Sequence, residues 1–308
     1  MSILKIENLS HKYSASWAIR DINLEIDQTG VIGLLGSNGA GKSTTMNIVC
    51  GVVNQTEGHV YIDGLDTRKD PEASRTRIGF LPQNPPVYTD LTVDEYLTYA
   101  AELRLVDDSK IKMAVEEAKE KCQITHFSSR LIKNLSGGYR QRVGIAQAII
   151  HKPRLVVMDE PTNGLDPNQL IEARKLIREI AVDHSVLLSS HILSEINLLC
   201  RDIIMIESGR MVFSDSMDAF NNYVQSKVIL LRMDHPPQKS ELQRIQGVTQ
   251  VEFLSDRQVR VYFDGSQEDI SERLIAASVA QGWKLKEIGP DKGLLDDVFK
   301  QLSSQSLL

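Results

Sequence analysis

The segment Gly36-Ser37-Asn38-Gly39-Ala40-Gly41-Lys42-Ser43 sets three glycines, a lysine and a hydroxyl at the spacing of a phosphate cradle. The apolar run Val31-Ile32-Gly33-Leu34-Leu35 precedes it and a helical stretch to Val49 follows, so the order is buried strand, glycine loop, helix. Gly36, Gly39 and Gly41 let the backbone take conformations that side chains forbid, so successive N–H groups can turn inward on an anion. The following helix adds its positive end. Lys42 then reaches the β- and γ-phosphates as a point charge, the Ser43 hydroxyl ligates Mg²⁺, and Thr44 is counted among the nucleotide contacts of the loop.

A second apolar run, Leu155-Val156-Val157-Met158, ends in Asp159-Glu160, and ligands collect at strand C-termini in open α/β sheets. Beside a phosphate loop the two acids divide the work. Asp159 is expected to hold Mg²⁺ through water, and Glu160 to orient and deprotonate the attacking water, since phosphoryl transfer relies on positioning and charge stabilisation. Val186-Leu187-Leu188 repeats the buried-strand pattern and delivers Ser189-Ser190-His191, putting a hydrogen-bonding ring where a γ-phosphate would sit. His59, His126 and His235 read as structural.

Leu135-Ser136-Gly137-Gly138-Tyr139-Arg140-Gln141-Arg142 opens another helix, with Ser136 as its N-cap and Gly137 and Gly138 keeping the approach clear. One nucleotide carries one triphosphate, so a second phosphate-facing helix end implies service to the nucleotide of a partner subunit.

In this order the segments resemble the ATP-binding cassette subunits of ABC transporters, over nearly the first 220 residues. The resemblance is carried by Tyr13, the loop Gly36 to Ser43, Gln83 in Leu81-Pro82-Gln83, the signature Leu135 to Gln141, Asp159 and Glu160, Asp166 in Asn163-Gly164-Leu165-Asp166, and His191. It implies that Tyr13 stacks on adenine. It also implies that Gln83 contacts Mg²⁺ in the catalytic site, beside the surface that receives a membrane partner, and that Asp166 couples two sites across a dimer. ATP and Mg²⁺ are the implied cofactors. A second cassette, identical or related, and an integral membrane permease are the implied partners. Tyr139 departs from the family's commonest signature, which has glutamine there. Read without the resemblance, Tyr13 is a core aromatic and Gln83 a turn residue before Asn84-Pro85-Pro86. An alternative keeps the chemistry but not the membrane: a soluble ABC ATPase of translation, repair or cofactor assembly, against which stand the single cassette and the lack of a long heptad run. A nucleotide sensor without turnover is opposed by the presence of both Glu160 and His191.

Positioning these residues requires an α/β core. Apolar strands alternate with helical patterns to about Phe220, which predicts a mainly parallel sheet wrapped by helices; the resemblance implies that this is a P-loop NTPase cassette over 1–220 with antiparallel N-terminal strands. A helical subdomain is inserted at about 84–153, with helices over Val93–Leu105, Ser109–Cys122 and Gly138–Ile150. The polar pair Asn221-Asn222 and later Pro236-Pro237 mark a change of texture. Residues 221–308 then read as an accessory α+β domain of ferredoxin-like βαββαβ order. Its strands are expected over Lys227–Arg232, Val248–Leu254, Gln258–Phe263 and Trp283–Ile288, and its helices over Ser240–Ile245 and Ile270–Gln281. Asp256-Arg257 makes a hairpin turn. A last helix near Leu294–Leu302 resembles the tail of bacterial exporter cassettes, including drug-export and gliding-motility ATPases, which makes export the expected direction.

The 308 residues leave room for such a second unit, and 42% hydrophobic with 25% charged residues is an ordinary globular composition. No apolar run is long enough to cross a bilayer, and the N-terminus reads as a strand, not a signal peptide. The expected location is therefore cytoplasmic, peripheral on the membrane through the permease. A net charge of −6 offers no basic reservoir for nucleic acid, and no nucleic-acid partner is expected. Cys50, Cys122 and Cys200 are too far apart for a disulfide framework or zinc knuckle and read as reduced packing residues.

Overall fold

Residues 2–224 and 228–290 are described by the computed structural model. The chain divides into two compact units, Met1–Met217 and Asp218–Leu308. The first runs β1 (Leu4–Tyr13), β2 (Ser16–Ile26), β3 (Gly30–Leu35), α1 (Lys42–Val49), β4 (Glu57–Ile62), β5 (Leu65–Asp66), α2 (Pro71–Arg75) and β6 (Ile78–Leu81). It continues with α3 (Val93–Leu103), α4 (Asp108–Lys121), α5 (Gly137–Ile149), β7 (Leu155–Asp159), α6 (Pro167–Ile180), β8 (Ser185–Ser190), α7 (Leu193–Leu199), β9 (Asp202–Glu207) and β10 (Arg210–Ser216).

Two sheets form in this unit. One has the order β10-β9-β3-β8-β7-β6, with β9, β3, β8, β7 and β6 parallel and β10 antiparallel at the edge. Every residue of β7 and β8 is buried, the mark of a parallel sheet covered on both faces, and their unbroken apolar runs are what such burial demands. The other sheet, β2-β1-β4-β5, is antiparallel. Ile6, Leu9, Ile19, Val60 and Ile62 from that sheet join Ile32, Leu34, Met46, Val157 and Leu187 in one apolar core.

The helical segment lies between β6 and β7. A capping box opens α3, with Thr92 Oγ1 accepting from the Glu95 N–H and Glu95 Oε2 accepting from the Thr92 N–H. Lys119 of α4 is fully buried and donates to Asp94 at 2.6 Å, Glu116 at 2.8 Å and Ser128 at 2.8 Å, which locks α4 onto the start of α3. The α3 helix stops at Leu103, short of the expected Leu105, because Leu105 adopts a left-handed φ of 58°. The α5 helix lies close on β6: a methyl group at Gly79 would meet the Ala148 carbonyl oxygen at 1.9 Å, and one at Gly144 would meet Leu81 at 2.7 Å.

Helix α8 (Met217–Val224) contains Asn221 and Asn222, so this polar pair is not a break. Met217 and Phe220, spaced for one helix face, are both buried and outweigh the local polarity. The second unit then runs β11 (Val228–Met233), α9 (Lys239–Gln243), β12 (Val248–Ser255), β13 (Gln258–Phe263), α10 (Gln267–Gln281) and β14 (Leu285–Pro290). This is the expected βαββαβ order, in an antiparallel sheet β12-β13-β11-β14. Alternate residues Ile229, Leu231 and Met233 and their neighbours Val259, Val261 and Phe263 turn inward onto Leu242, Ile270 and Leu274.

Among the boundaries that differ from the sequence reading, two have a plain cause. The α10 helix begins at Gln267, ahead of Ile270, because its first turn carries Glu268 and Asp269 and no apolar residue to show it. The β14 strand begins at Leu285, since Lys284 has a φ of 52° and breaks the extension, while Trp283 is buried from outside the strand. The expected helix Leu294–Leu302 lies outside the described residues. Among the described residues no helix is long and apolar enough to cross a membrane.

All three cysteines are free and buried, and burial pushes the Cys122 and Cys200 thiols up to about 12. The native chain is accordingly expected to resist maleimide at pH 8 and to take up three labels after unfolding in guanidinium, as read by intact-mass spectrometry. Rapid labelling of the native protein would contradict this packing.

Candidate active site

Strand register gathers the site. Leu34 and Leu35 of β3 pair with Ser189 and Ser190 of β8, and Asp159 of β7 pairs with Ser189. Leu81 of β6 pairs with Met158, which sets Gln83 at the same sheet edge. Three neighbouring strands therefore release the phosphate loop, the acidic pair and the histidine side by side.

The loop is fixed from several sides. Gly41 has a φ of 111° and lies so close to β2 that a methyl group there would meet Ile19 at 2.5 Å. The Ser37 hydroxyl donates to Glu207 Oε1 at 2.8 Å, fastening the loop to the end of β9. Lys42 is buried, and its Nζ donates to the carbonyls of Gly36 at 2.8 Å and Ser37 at 3.1 Å. Burial holds the Lys42 ammonium below the usual lysine range, while the carboxylates of Glu160, Asp159 and Glu207 push it back up. The α1 helix has no acidic residue in its first turn and no side-chain cap, so its positive end is left for an external anion.

Ser189 organises the acids. Its Oγ accepts from the Glu160 N–H at 2.9 Å and donates to Asp159 Oδ1, so one hydroxyl sets both carboxylate-bearing residues. Glu160 has a left-handed φ of 48°, which swings its side chain out of the strand line. Its Oε1 lies 2.9 Å from His191 Nδ1 and 3.9 Å from Lys42 Nζ. With a carboxylate as acceptor, Nδ1 carries the ring proton and Nε2 remains for a second partner. Among the described residues no three His, Cys, Asp or Glu side chains converge as a metal cage. The donors nearby suit an ion such as Mg²⁺ that keeps water and phosphate oxygens in its shell.

Not all expected residues meet. Ser136 caps α5, accepting from the Tyr139 N–H at 3.4 Å, and Ser136 and Gly137 are exposed. Among the described residues no hydrogen bond or ion pair joins Ser136, Gly137 or Gly138 to the Lys42 loop. Tyr13 ends β1, half exposed at 51% and edge-on to His11, which corrects the alternative of a core aromatic. Gln83 is exposed just beyond β6. Asp166 caps α6, accepting from the N–H groups of Asn168 at 3.0 Å and Gln169 at 2.9 Å.

Ser189, Glu207 and Gln141 have contacts at the site that the sequence reading leaves without a role; Gln141 Nε2 donates to the Pro161 carbonyl at 2.9 Å, tying α5 to the loop after Glu160. The available signal for Ser189 is a hydroxyl directly after the apolar run Val186-Leu187-Leu188. Nothing local marks Glu207, and Gln141 enters the sequence reading only as the last residue of the signature segment.

Comparison with known proteins agrees with this geometry. The family model described as ABC transporter matches residues 19–163. The ABC transporter ATP-binding protein YdbJ of Bacillus subtilis (strain 168) is 32% identical over 96% of this chain and 94% of its own length. The bacitracin transport ATP-binding protein BcrA of Bacillus licheniformis is 30% identical over 98% of this chain and 97% of its own. A solved ATP-binding subunit of an ABC transporter superposes with a TM-score of 0.65 at 28% identity, covering 72% of this chain and 93% of that one. The chain thus belongs to the ABC transporter ATP-binding proteins, as a nucleotide-binding subunit whose ATP hydrolysis is coupled to transport.

Proposed function

We propose that two cassettes meet head to tail, each ATP lying between Lys42 of one and Ser136 and Gly138 of the other, and that hydrolysis opens the pair to drive a separate membrane permease outward. The contact of Glu160 with both His191 and Lys42 carries the reading, because it joins a carboxylate base, a hydrogen-bonding ring and a buried cation at one point. Lys42 exchanges its carbonyl partners for phosphate oxygens, a replacement that asks little rearrangement of a cation already folded over the loop. Glu160 draws the proton from the attacking water, and His191 holds Glu160 through its Nδ1–H while Nε2, when it too carries a proton, donates to the departing phosphoryl group. Ser43, Gln83 and Asp159 would hold Mg²⁺, which when bound would supply charge neutralisation to the phosphates. Gly36, Ser37, Asn38, Gly39, Ala40, Gly41 and Thr44 line the phosphates, Tyr13 stacks on the base, and Gly137 and Asp166 belong to the surface shared with the second cassette.

The permease is assigned to a groove of about 760 Å³ lined by Phe80, Tyr88, Tyr99, Leu103 and Arg104. Tyr88 is 56% exposed and Leu103 63%, an apolar patch adjoining the segment that carries Gln83. Location on the cytoplasmic face of the membrane follows from this partner. Outward transport is supported by the bacitracin transport relative, whose alignment covers 98% of this chain and so takes in the second unit.

Glu160→Gln is expected to keep ATP binding, to lower kcat by roughly 10²–10⁴-fold, and to accumulate an ATP-dependent dimer in light scattering. His191→Ala is expected to lower kcat by roughly 10²–10³-fold with nucleotide binding intact. Turnover at the normal rate in the Gln variant would remove Glu160 from this role. Leu103→Glu is expected to reduce the permease that co-purifies from membranes; undiminished recovery would move the docking surface elsewhere.

A further inference from the structure

We infer that Glu195 is a positioning residue of hydrolysis, one carboxylate that pins both the loop bearing Glu160 and the loop bearing His191. Glu195 sits in the first turn of α7 and is only 6% exposed. Its Oε2 accepts from the Thr162 hydroxyl at 2.8 Å and from the Ser190 hydroxyl at 3.1 Å. Thr162 is two residues beyond Glu160, and Ser190 immediately precedes His191. The Ser190 oxygen also accepts from the Ile192 N–H at 3.0 Å, so His191 is bracketed by a turn that ends on Glu195. Oε1 lies 3.7 Å from an Arg174 nitrogen on α6.

These bonds go to other elements, not to the helix's own first-turn N–H groups, so Glu195 is not spent on capping α7. A hollow of about 190 Å³ is lined by Glu160, Thr162, Ser190, His191, Ile192 and Glu195 together, so the clamp and the reacting pair share one wall. The 2.9 Å contact between His191 and Glu160 is therefore held through both residues' neighbours, by the Ser189 hydroxyl on the Glu160 N–H and by Glu195 on Thr162 and Ser190. A displacement of about 1 Å in such a pair can cost roughly 10²-fold in rate. The inference rests on Glu160 and His191 acting as proposed.

The test measures ATP hydrolysis by the full chain together with the membrane partner that co-purifies with it. Glu195→Ala is expected to lower kcat by about 10- to 100-fold with KM for ATP changed less than about threefold. Glu195→Gln, whose amide oxygen still accepts both hydroxyl protons, is expected to recover most of that loss. The Thr162→Val/Ser190→Ala double variant should show the same fall in kcat, and adding Glu195→Ala to it should cost little more. This double variant decides the matter if Glu195→Ala does not fold. Unchanged kcat in Glu195→Ala or in the double variant overturns the inference, as does an equal loss in the Ala and Gln variants. Glu160→Gln, run alongside, separates the two levels. Normal turnover there removes the underlying reading, whereas an inactive Glu160→Gln beside an unaffected Glu195→Ala removes only the clamp.

Discussion

A slip of one residue between neighbouring strands turns every side chain to the opposite face of a sheet, and the chemistry of this chain depends on the absence of any slip between β3, β8 and β7. Leu35 beside Ser190, and Ser189 beside both Leu34 and Asp159, fix where three loops leave the sheet. The register is enforced by burial: β7 and β8 have no exposed face on which a slipped arrangement could place a polar residue without cost. Ser189 adds a local check, since its hydroxyl bridges the Glu160 N–H and the Asp159 carboxylate only when the two strands are in step.

Charge is concentrated where the strands end. Lys42, Asp159 and Glu160 are all largely withdrawn from water, and Glu207 stands behind the loop on Ser37. Burial alone would favour a neutral lysine, and the surrounding carboxylates work against that. The cation is retained by carbonyls and acids in a buried region, which is where fixed dipoles act most strongly on a phosphate. The same carboxylates would repel a polyanion, a conflict that the divalent ion proposed between acids and phosphates would resolve.

How much of this could be read from residues alone depended on where the partners lie. The loop Gly36 to Ser43 is legible because an anion cradle constrains nearly every position in one short segment. Asp159, Glu160 and His191 are legible because apolar runs deliver them. The Ser37–Glu207 bond joins residues 170 positions apart, and the Glu160–Ser189 bond spans 29, so no local pattern announces either. In the second unit the alternation of Ile229, Leu231 and Met233 revealed a strand, whereas the polar first turn of α10 and the break at Lys284 had no periodic signature. By composition Asn221-Asn222 reads as a break, whereas the buried Met217 and Phe220, one turn apart, run the helix through it.

The left-handed backbone at Glu160 has a consequence for attempts to engineer the protein. A residue with a side chain held there costs roughly 1–3 kcal/mol, and glycine would relieve it. Screens that reward heat resistance alone should therefore drift toward discarding the carboxylate, enriching sturdier molecules that lack the proposed catalytic base. Selection for endurance and selection for work pull this single position in opposite directions.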